Sequence, residues 1–476
     1  MLFNSWDFAV FGVVVWLLYV CLPHRAQNRL LLVASYIFYG WWDVRFLALL
    51  IFSTVVDYVC ARWIHAATQE RIRRRFLMIS ILSNLGILGT FKYWDFFAGS
   101  TQSLLARLGI PCEPFLLRVV LPVGISFYTF QALSYTIDVY RRKIAPARSL
   151  WDFSLYVVFF PQLVAGPIER SEHLLPQLLR PRRVCLDDLE AGFYLILWGL
   201  VEKVYVADTL AGIADAVFNR PAPYHGADVL MALYAFAFQI YCDFDGYSNI
   251  ARGTARCFGV ELMVNFRQPY AATNPVDFWR RWHISLSTWL RDYLYIPLGG
   301  NRAGRGRMLC NLLITMGLGG LWHGAAWTFV LWGLYHGVLL VGYRLAEPFL
   351  AQRPLKRWRL PEGLRNTLSA VVVFHLVCAG WLLFRAQSLD QAIAMGWSVL
   401  RGMTPVELLR AGLARWSMAL PIGIILVVQW WQVRRDDVLA VFRGPFVLRW
   451  AWCTLLFHLL TMFGAPSGRQ FIYFQF

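Results

Sequence analysis

The polar side chains that could carry out a reaction are concentrated between Gln239 and His336, in a chain that is otherwise strongly apolar. His323 is the most informative of them, because it follows the glycine-rich run Gly317–Leu321 and precedes Gly324. This pattern predicts close backbone packing or an unwound helix that presents the imidazole to a cavity. A buried neutral imidazole can accept a proton from a hydroxyl or thiol, as a general base does in acyl transfer. The alternative is a structural hydrogen bond within the apolar region, which we expect for the remaining histidines of the apolar runs: His336, His375 and His458.

Two acidic residues, Asp243 and Asp245, lie at the end of an apolar run in the sequence Q-I-Y-C-D-F-D-G-Y-S. Acids two positions apart can bind a cation or act as catalytic bases. They can equally cap a helix and pair with Arg252 or Arg256. The sequence leaves both interpretations open, and a cluster this small predicts no metal site.

The segment Asn274–Arg302 mixes aromatic with charged residues. An unpaired charge on a lipid-facing surface costs about 2.5–3.5 kcal/mol even on the lenient insertion scale. The residues that must therefore face protein or water are Asp277, Arg281, His283, Arg291 and Asp292. Alternating aromatic and basic residues suit a membrane-interface segment whose arginines contact cytoplasmic polyanions, such as the phosphates of a coenzyme, or equally anionic lipid headgroups. The candidates for binding coenzyme phosphates are Arg280, Arg281 and Arg302.

Other catalytic signatures do not accompany these residues. The sequence contains no nucleophile elbow, no H-E-x-x-H zinc helix and no phosphate-binding loop. Its nine cysteines are scattered without a C-x-x-C pair, which favours a packing role. We therefore expect no bound metal.

The elements that position this chemistry are expected to be membrane helices. Hydrophobic residues make up 58% of the chain and charged residues only 15%, against about 25% charged in soluble proteins. So little polar material cannot cover a soluble core. Several apolar runs are shorter than the roughly 20 residues that cross the hydrocarbon. We therefore predict one all-α polytopic membrane domain over residues 1–476, with about eleven transmembrane helices plus re-entrant or interfacial helices.

The net charge of +17 could indicate nucleic-acid binding or the cytoplasmic loops of a membrane protein. Its distribution favours the loops, because basic residues cluster in alternate connections between apolar runs, as the positive-inside rule requires. We therefore expect contact with membrane lipids and no nucleic-acid partner. The same pattern predicts that the N-terminus, the loop 91–118 and the C-terminal tail 464–476 lie outside.

An ordered set of motifs along nearly the whole chain resembles the membrane-bound O-acyltransferase family, in the bacterial branch that includes alginate O-acetylation proteins. The motifs are the opening M-L-F-N-S, P-V-G-I-S-F-Y-T-F-Q at Pro122–Gln131, F-F-P-Q-L-V-A-G-P-I at Phe159–Ile168, W-R-R-W-H-I-S-L-S, R-D-Y-L-Y-I-P-L-G-G-N, L-W-H-G and the final F-I-Y-F-Q-F.

This resemblance implies a ring of tilted helices around a central funnel in the bacterial inner membrane. It implies that His323 is the general base and that His283 occupies the family's second polar position. In this interpretation His283 and Asp292 orient the base or the donor thioester, and Arg291 supports the segment or meets coenzyme phosphates. Trp322 and Asp243 are further supporting residues.

The implied reaction takes acetyl from cytoplasmic acetyl-CoA and passes it across the membrane for O-acetylation of an exported polysaccharide. An extracytoplasmic acetyltransferase partner protein would complete the transfer. Alginate is the first expectation for the polysaccharide, with cellulose and peptidoglycan as alternatives. A transporter or flippase of an acyl or glycan intermediate is the alternative from another functional class, since charged residues also line transport pathways.

The tail has a second resemblance. Phe471, Tyr473 and Phe476 reproduce the F-x-Y-x-x-F pattern that ends the small acyl-carrying subunit of the teichoic-acid D-alanylation system. The tyrosine is the proposed acyl carrier there, which implies that Tyr473 is an acyl relay here. A phenol with a pKa of about 10 leaves more easily than an alkoxide, so a tyrosyl ester suits a relay. The alternative is an aromatic tail that plugs the funnel or anchors at the interface.

Overall fold

The computed structural model describes residues 1–110, 112–164, 166–302, 304–352, 361–464 and 471–472. These residues form helices and connecting segments without a β-strand, which confirms the predicted all-α class. The chain groups into two compact units, Met1–Phe193 with Ala251–Met263, and Tyr194–Ile250 with Val264–Phe476. The single domain over residues 1–476 stays a prediction.

In the first unit, α3, α4 and α6 pack together around the buried carboxyl of Asp57. Asp57 accepts hydrogen bonds from the Ser80 hydroxyl at 2.5 Å and the Asn84 amide at 2.9 Å, because a buried polar group without a partner is costly. The helices of this unit are α1 Trp6–Val20, α2 His24–Gly40, α3 Leu47–Ala66, α4 Glu70–Leu88, α5 Trp94–Arg107, α6 Ile125–Tyr140, α7 Leu150–Val158, α8 Phe160–Leu163 and α9 Ser171–Leu179.

The candidate chemistry lies in the second unit. Two helices have residues in both units, α10 Leu186–Leu200 and α12 Gly226–Cys257. The remaining helices are α11 Asp208–Phe218, α13 Pro275–Arg281, α14 Ile284–Leu290, α15 Arg305–His323, α16 Trp327–Gln352, α17 Glu362–Arg385, α18 Leu389–Leu400, α19 Pro405–Ala414, α20 Ala419–Arg435 and α21 Phe446–Phe463. In the described part of this unit, two wider, π-helical turns carry ionisable residues, Val201–Ala207 and Arg291–Tyr295. Such turns are frequent at functional sites.

Within the described residues, seven helical stretches are long and apolar enough to cross a membrane, and α1 is a shorter apolar helix. This supports a multi-pass membrane protein. The estimate of about eleven spans stays a prediction. The seven stretches are Val44–Ala66, Glu70–Arg107, Gly226–Cys257, Trp327–Phe349, Glu362–Arg385, Trp416–Arg435 and Phe446–Phe463.

Glycines set the distance between the helices that hold the site. A Cβ on Gly320 of α15 would lie 2.2 Å from the Phe329 carbonyl oxygen, and one on Gly333 of α16 would lie 2.2 Å from the Met316 carbonyl oxygen. The two backbones therefore touch, as small residues allow in membrane helix pairs. This contact places the end of α15, and with it His323, directly against α16.

A second glycine contact joins α10 to α12. A Cβ on Gly199 would lie 2.5 Å from the Gly246 carbonyl oxygen, and one on Gly246 would lie 2.7 Å from the Gly199 carbonyl oxygen. The π-helical turn Val201–Ala207 begins two residues after Gly199 in the chain. Its ionisable side chains are thereby brought beside those of α12.

We expect Gly320→Ala and Gly333→Ala each to destabilise the protein, because the added methyl meets rigid backbone and overpacking costs about 1–3 kcal/mol. The measurement is the thermal unfolding midpoint in detergent. Gly342→Ala is the matched control, since Gly342 lies on α16 and a Cβ there meets nothing within 4 Å. Equal midpoints for all three variants would contradict the proposed helix contact.

Candidate active site

Two buried histidines lie side by side in the second unit. The ring centres of His283 and His323 are 6.4 Å apart, and the two residues are 0% and 3% exposed. His323 is the last residue of α15, and Gly324 follows it in extended conformation. The helix break predicted from the glycines therefore occurs at this histidine.

Aromatic rings enclose His323. Its ring centre lies 5.0 Å from that of Trp322, 5.0 Å from Trp332 and 5.5 Å from Phe384, each in an edge-on arrangement. Trp322 also lies 5.9 Å from His283, so the structure brings together three of the predicted site residues. The enclosure limits water around the imidazoles, which strengthens electrostatic interactions there.

His283 has an unusual backbone conformation. It stands before α14 with φ 43° and ψ 55°, in the left-handed region that side-chain-bearing residues rarely adopt. The next residue, Ile284, donates its backbone N–H to the Asn265 carbonyl at 2.9 Å. Strained residues of this kind concentrate at functional sites, where the surrounding structure holds them.

The side chain of Asn265 selects the tautomer of His283. The amide oxygen of Asn265 lies 3.1 Å from His283 Nδ1 and accepts the backbone N–H of Ser285 at 3.3 Å. Because a backbone N–H can only donate, this atom is the amide oxygen, and His283 Nδ1 must be the protonated nitrogen. The lone pair of the neutral ring therefore lies on Nε2.

His283 is also held in the neutral form. It lies outside the seven candidate spans, and burial lowers the pKa of its imidazole to about 3. The ring is therefore neutral near pH 7, with Nε2 able to accept a hydrogen bond. The arrangement provides an oriented hydrogen-bond acceptor beside His323.

The other apolar-region histidines have the surroundings expected of structural residues. His375 and His458 each place Nδ1 against the carbonyl oxygen one helical turn earlier, at 2.7 Å and 2.8 Å. His336 is buried with its ring centre 5.0 Å from that of Trp332 and 5.2 Å from that of Trp279.

An ionic cluster surrounds Asp243. Lys203 Nζ lies 2.6 Å from one Asp243 oxygen and 2.8 Å from an Asp208 oxygen, and all three side chains are buried. The other Asp243 oxygen accepts the backbone N–H of Ile472 at 2.7 Å. The sequence interpretation missed Lys203 and Asp208. The signal that could have found Lys203 was the adjacent pair Glu202 and Lys203 in the apolar run Leu189–Val206. Ionisable residues within a membrane segment are candidates for a functional role.

Asp243 and Asp245 lie inside α12 rather than at a helix end, so the predicted helix-capping role is wrong. Asp245 accepts the Tyr241 hydroxyl at 2.7 Å, while Arg256, a predicted partner, pairs with Asp188 at 3.2 Å. Among the described residues, no group of three or more His, Cys, Asp or Glu side chains could hold a metal ion.

The charged residues of the segment Asn274–Arg302 lie in local pairs or at the surface. Arg281 pairs with Asp277 at 2.8 Å, and Arg291 pairs with Asp292 at 2.8 Å. Arg280, Arg291 and Arg302 are exposed. Their proposed roles toward the donor stay predictions. Tyr473 lies outside the described residues.

Asn265 was the other residue that the sequence interpretation missed. It precedes Phe266 in the connection between α12 and α13, and no motif marks it. Only its hydrogen bonds to His283 and Ser285 show its importance.

Comparison with known proteins identifies relatives across most of the chain. A model of the membrane-bound O-acyltransferase family matches residues 140–384, which include both His283 and His323. The protein named probable alginate O-acetylase AlgI of Azotobacter vinelandii is 42% identical over 398 residues, covering 83% of this chain and 77% of the relative.

Two further relatives act on other polymers according to their names. The peptidoglycan O-acetyltransferase of Helicobacter pylori is 35% identical over 435 residues, covering 85% of this chain and 80% of the relative. The teichoic acid D-alanyltransferase of Bacillus subtilis is 29% identical over 275 residues, covering 55% and 68%. Acyl transfer is common to all three names.

We expect Asn265→Ala to lower the acyl-transfer rate about tenfold to a hundredfold, the range typical when a group that orients a functional histidine is removed. The physical reason is that His283 loses the acceptor that selects its tautomer. The measurement is the initial rate with folded protein in detergent. Ser248→Ala is the matched control, because the Ser248 hydroxyl contacts only the amide nitrogen side of Asn265, at 3.3 Å. A comparable loss in the control would contradict the tautomer argument.

Proposed function

The chain belongs to the membrane-bound O-acyltransferase family and is an O-acyltransferase, and from this premise we propose that it transfers acetyl from acetyl-CoA toward an exported polysaccharide. The observation that carries the proposal is the pair of adjacent buried imidazoles, His283 and His323, within the range that the family model matches. Membership of an acyltransferase family favours bond chemistry over transport, so the transporter alternative is set aside.

His323 is the proposed general base. It takes the proton of an acceptor hydroxyl as that oxygen attacks the carbonyl carbon of the acetyl thioester. The new carbon–oxygen bond forms, the carbon–sulfur bond breaks, and the proton passes from the imidazole to the sulfur, so that coenzyme A leaves as a thiol. His283, with its lone pair on Nε2, orients a reacting group beside His323.

Tyr473 is the proposed first acceptor. Its two preceding residues, Phe471 and Ile472, are buried in the second unit, which supports an acceptor that follows a buried segment. An acetyl-tyrosyl ester would form there, and an extracytoplasmic partner protein would pass the acetyl group to the polysaccharide.

Surface arginines are the proposed contacts for the donor. Arg280 and Arg302 are exposed, and Arg281 is half-buried in its pair with Asp277, so guanidinium groups are available to coenzyme phosphates. Arg291 and Asp292 form the proposed support for this segment.

The proposed setting is the bacterial inner membrane, with about eleven spans forming a ring around a funnel and with the C-terminus outside. Alginate is the proposed polysaccharide, supported by the name of a relative at 42% identity. Peptidoglycan is the alternative that a further relative favours, at 35% identity.

Incubation with isotope-labelled acetyl-CoA should place the label on the peptide that contains Tyr473, as measured by mass spectrometry. We expect no label in Tyr473→Phe, and we expect His323→Ala to slow labelling about 10²–10⁴-fold, the usual contribution of a general base. His458→Ala is the control, since this exposed histidine makes only a bond within its own helix.

Label that accumulates equally fast in His323→Ala would contradict the assigned base. Turnover of acetyl-CoA with no label on the Tyr473 peptide, even in the presence of an extracytoplasmic partner, would instead indicate direct transfer.

A further inference from the structure

Two short helices, α18 and α19, connect two candidate membrane spans. The span Glu362–Arg385 ends before α18, and the span Trp416–Arg435 begins after α19. With 12 and 10 residues, α18 and α19 are too short to cross the hydrocarbon, which takes about 20. Because the connection between two consecutive spans emerges on one side of the membrane, we expect both helices to lie at that membrane surface. We call them the surface helix pair.

Apolar side chains are exposed along both helices of the pair. They recur three or four positions apart, so they share one side of each helix. A helix with an exposed apolar side and a tryptophan among its residues is typical of a segment that lies in the plane of the membrane interface. The exposed residues are Ile393, Trp397 and Leu400 on α18 and Val406, Leu409 and Leu413 on α19.

A cavity of about 760 Å³ lies beside these helices, and all of its lining residues belong to the second unit. Its volume falls within the roughly 300–1,000 Å³ of ligand-binding pockets. Trp397 and Arg401 line it at the end of α18, and Arg410 lines it from α19. A Cβ on Gly226 would lie 2.4 Å from the Ser398 carbonyl oxygen, so the start of α12 and α18 are in backbone contact at this cavity.

Two carboxylates also line the cavity, and each has a partner. Asp228 pairs with Arg415 at 2.8 Å. Glu407 accepts the backbone N–H of Thr404 at 2.8 Å and its hydroxyl at 3.0 Å, in a capping box at the start of α19. Both acids are therefore engaged within the protein.

The two arginines of the cavity differ from these acids. In the described part of the chain, neither Arg401 nor Arg410 forms an ion pair, and both are exposed. Each directly follows an exposed leucine, Leu400 and Leu409. Guanidinium groups bind phosphate through paired hydrogen bonds, so a cation for a phosphate and an apolar surface for an acyl chain are adjacent.

An acidic segment of a partner protein would match the same arginines, but the apolar surface favours a lipid. The exposed apolar residues of α19 continue at Trp416, which is itself exposed and is the first residue of the candidate span Trp416–Arg435. The apolar side of the pair is thus continuous with a surface that faces lipid in a membrane.

We propose that the surface helix pair and this cavity bind a phospholipid, with its phosphate at Arg401 and Arg410 and its acyl chains along the exposed leucines. The tail 464–476 is predicted to lie outside, and two candidate spans separate it from residues 386–415, which assigns the lipid to the outer leaflet. This lipid site involves neither histidine and is independent of the proposed acyl transfer.

The test measures the binding of phosphatidylglycerol to the full chain in detergent by native mass spectrometry. The charge variant combines Arg401→Gln with Arg410→Gln. The matched control combines Arg434→Gln with Arg435→Gln, which removes two exposed arginines at the end of α20, on the side predicted to lie opposite.

We expect the charge variant to lower the affinity for the first bound lipid about tenfold to thirtyfold, the loss typical of two arginines at a lipid surface. The control should stay within a few-fold of the wild type. Arg401→Lys combined with Arg410→Lys should recover most of the affinity, because an ammonium also binds phosphate. Equal losses in the two glutamine variants, or no loss in either, would overturn the lipid site.

Two further measurements identify the occupant. Leu409→Gln combined with Leu413→Gln keeps the arginines and should also weaken lipid binding, and an excess of inorganic phosphate should not displace the lipid, since it has no acyl chain. Displacement by inorganic phosphate would indicate a site for free phosphate instead. Unchanged lipid affinity in the charge variant, together with weaker binding of the extracytoplasmic partner protein, would indicate a protein-docking surface. Either result contradicts the lipid assignment.

Discussion

Burying a charged or polar side chain inside an apolar protein is costly unless it has a partner, and buried polar partners occur in both units of the described structure. Asp57 accepts two hydrogen bonds among three packed helices of the first unit. In the second unit, Lys203 lies between two carboxylates, and Asn265 accepts hydrogen bonds for His283 and Ser285. Partners of this kind restrict the helices to arrangements in which donor and acceptor atoms lie about 3 Å apart. They therefore fix the positions of the helices as well as lowering the energetic cost of burial.

Such distances are possible because small residues let the backbones approach. The contact between Gly320 and Gly333 brings α15 against α16 and places His323 among aromatic rings. The contact between Gly199 and Gly246 does the same for α10 and α12, beside which Lys203 meets Asp243. Hydrophobic burial alone would not select these geometries, because a lipid tail is as apolar as a leucine side chain.

The proposed reaction needs an imidazole that can take a proton and an acceptor held close to it. Burial and Asn265 leave His283, the neighbour of the proposed base His323, neutral and with a defined lone pair. The contacts of Phe471 and Ile472 bear on the position of the acceptor, since these two residues directly precede Tyr473 in the chain.

The sequence by itself determined the membrane class, the helical fold and the acyltransferase family, because composition and ordered motifs are properties of the chain read in order. It also predicted His283, Trp322 and Asp243 as candidate site residues, but not what they contact. Only the tertiary structure decided that Asn265 selects the tautomer of His283 and that Lys203 and Ile472 share Asp243. Ile472 and Asp243 are 229 positions apart, and a hydrogen bond depends on the distance between atoms in space, which the order of residues in one sequence does not specify.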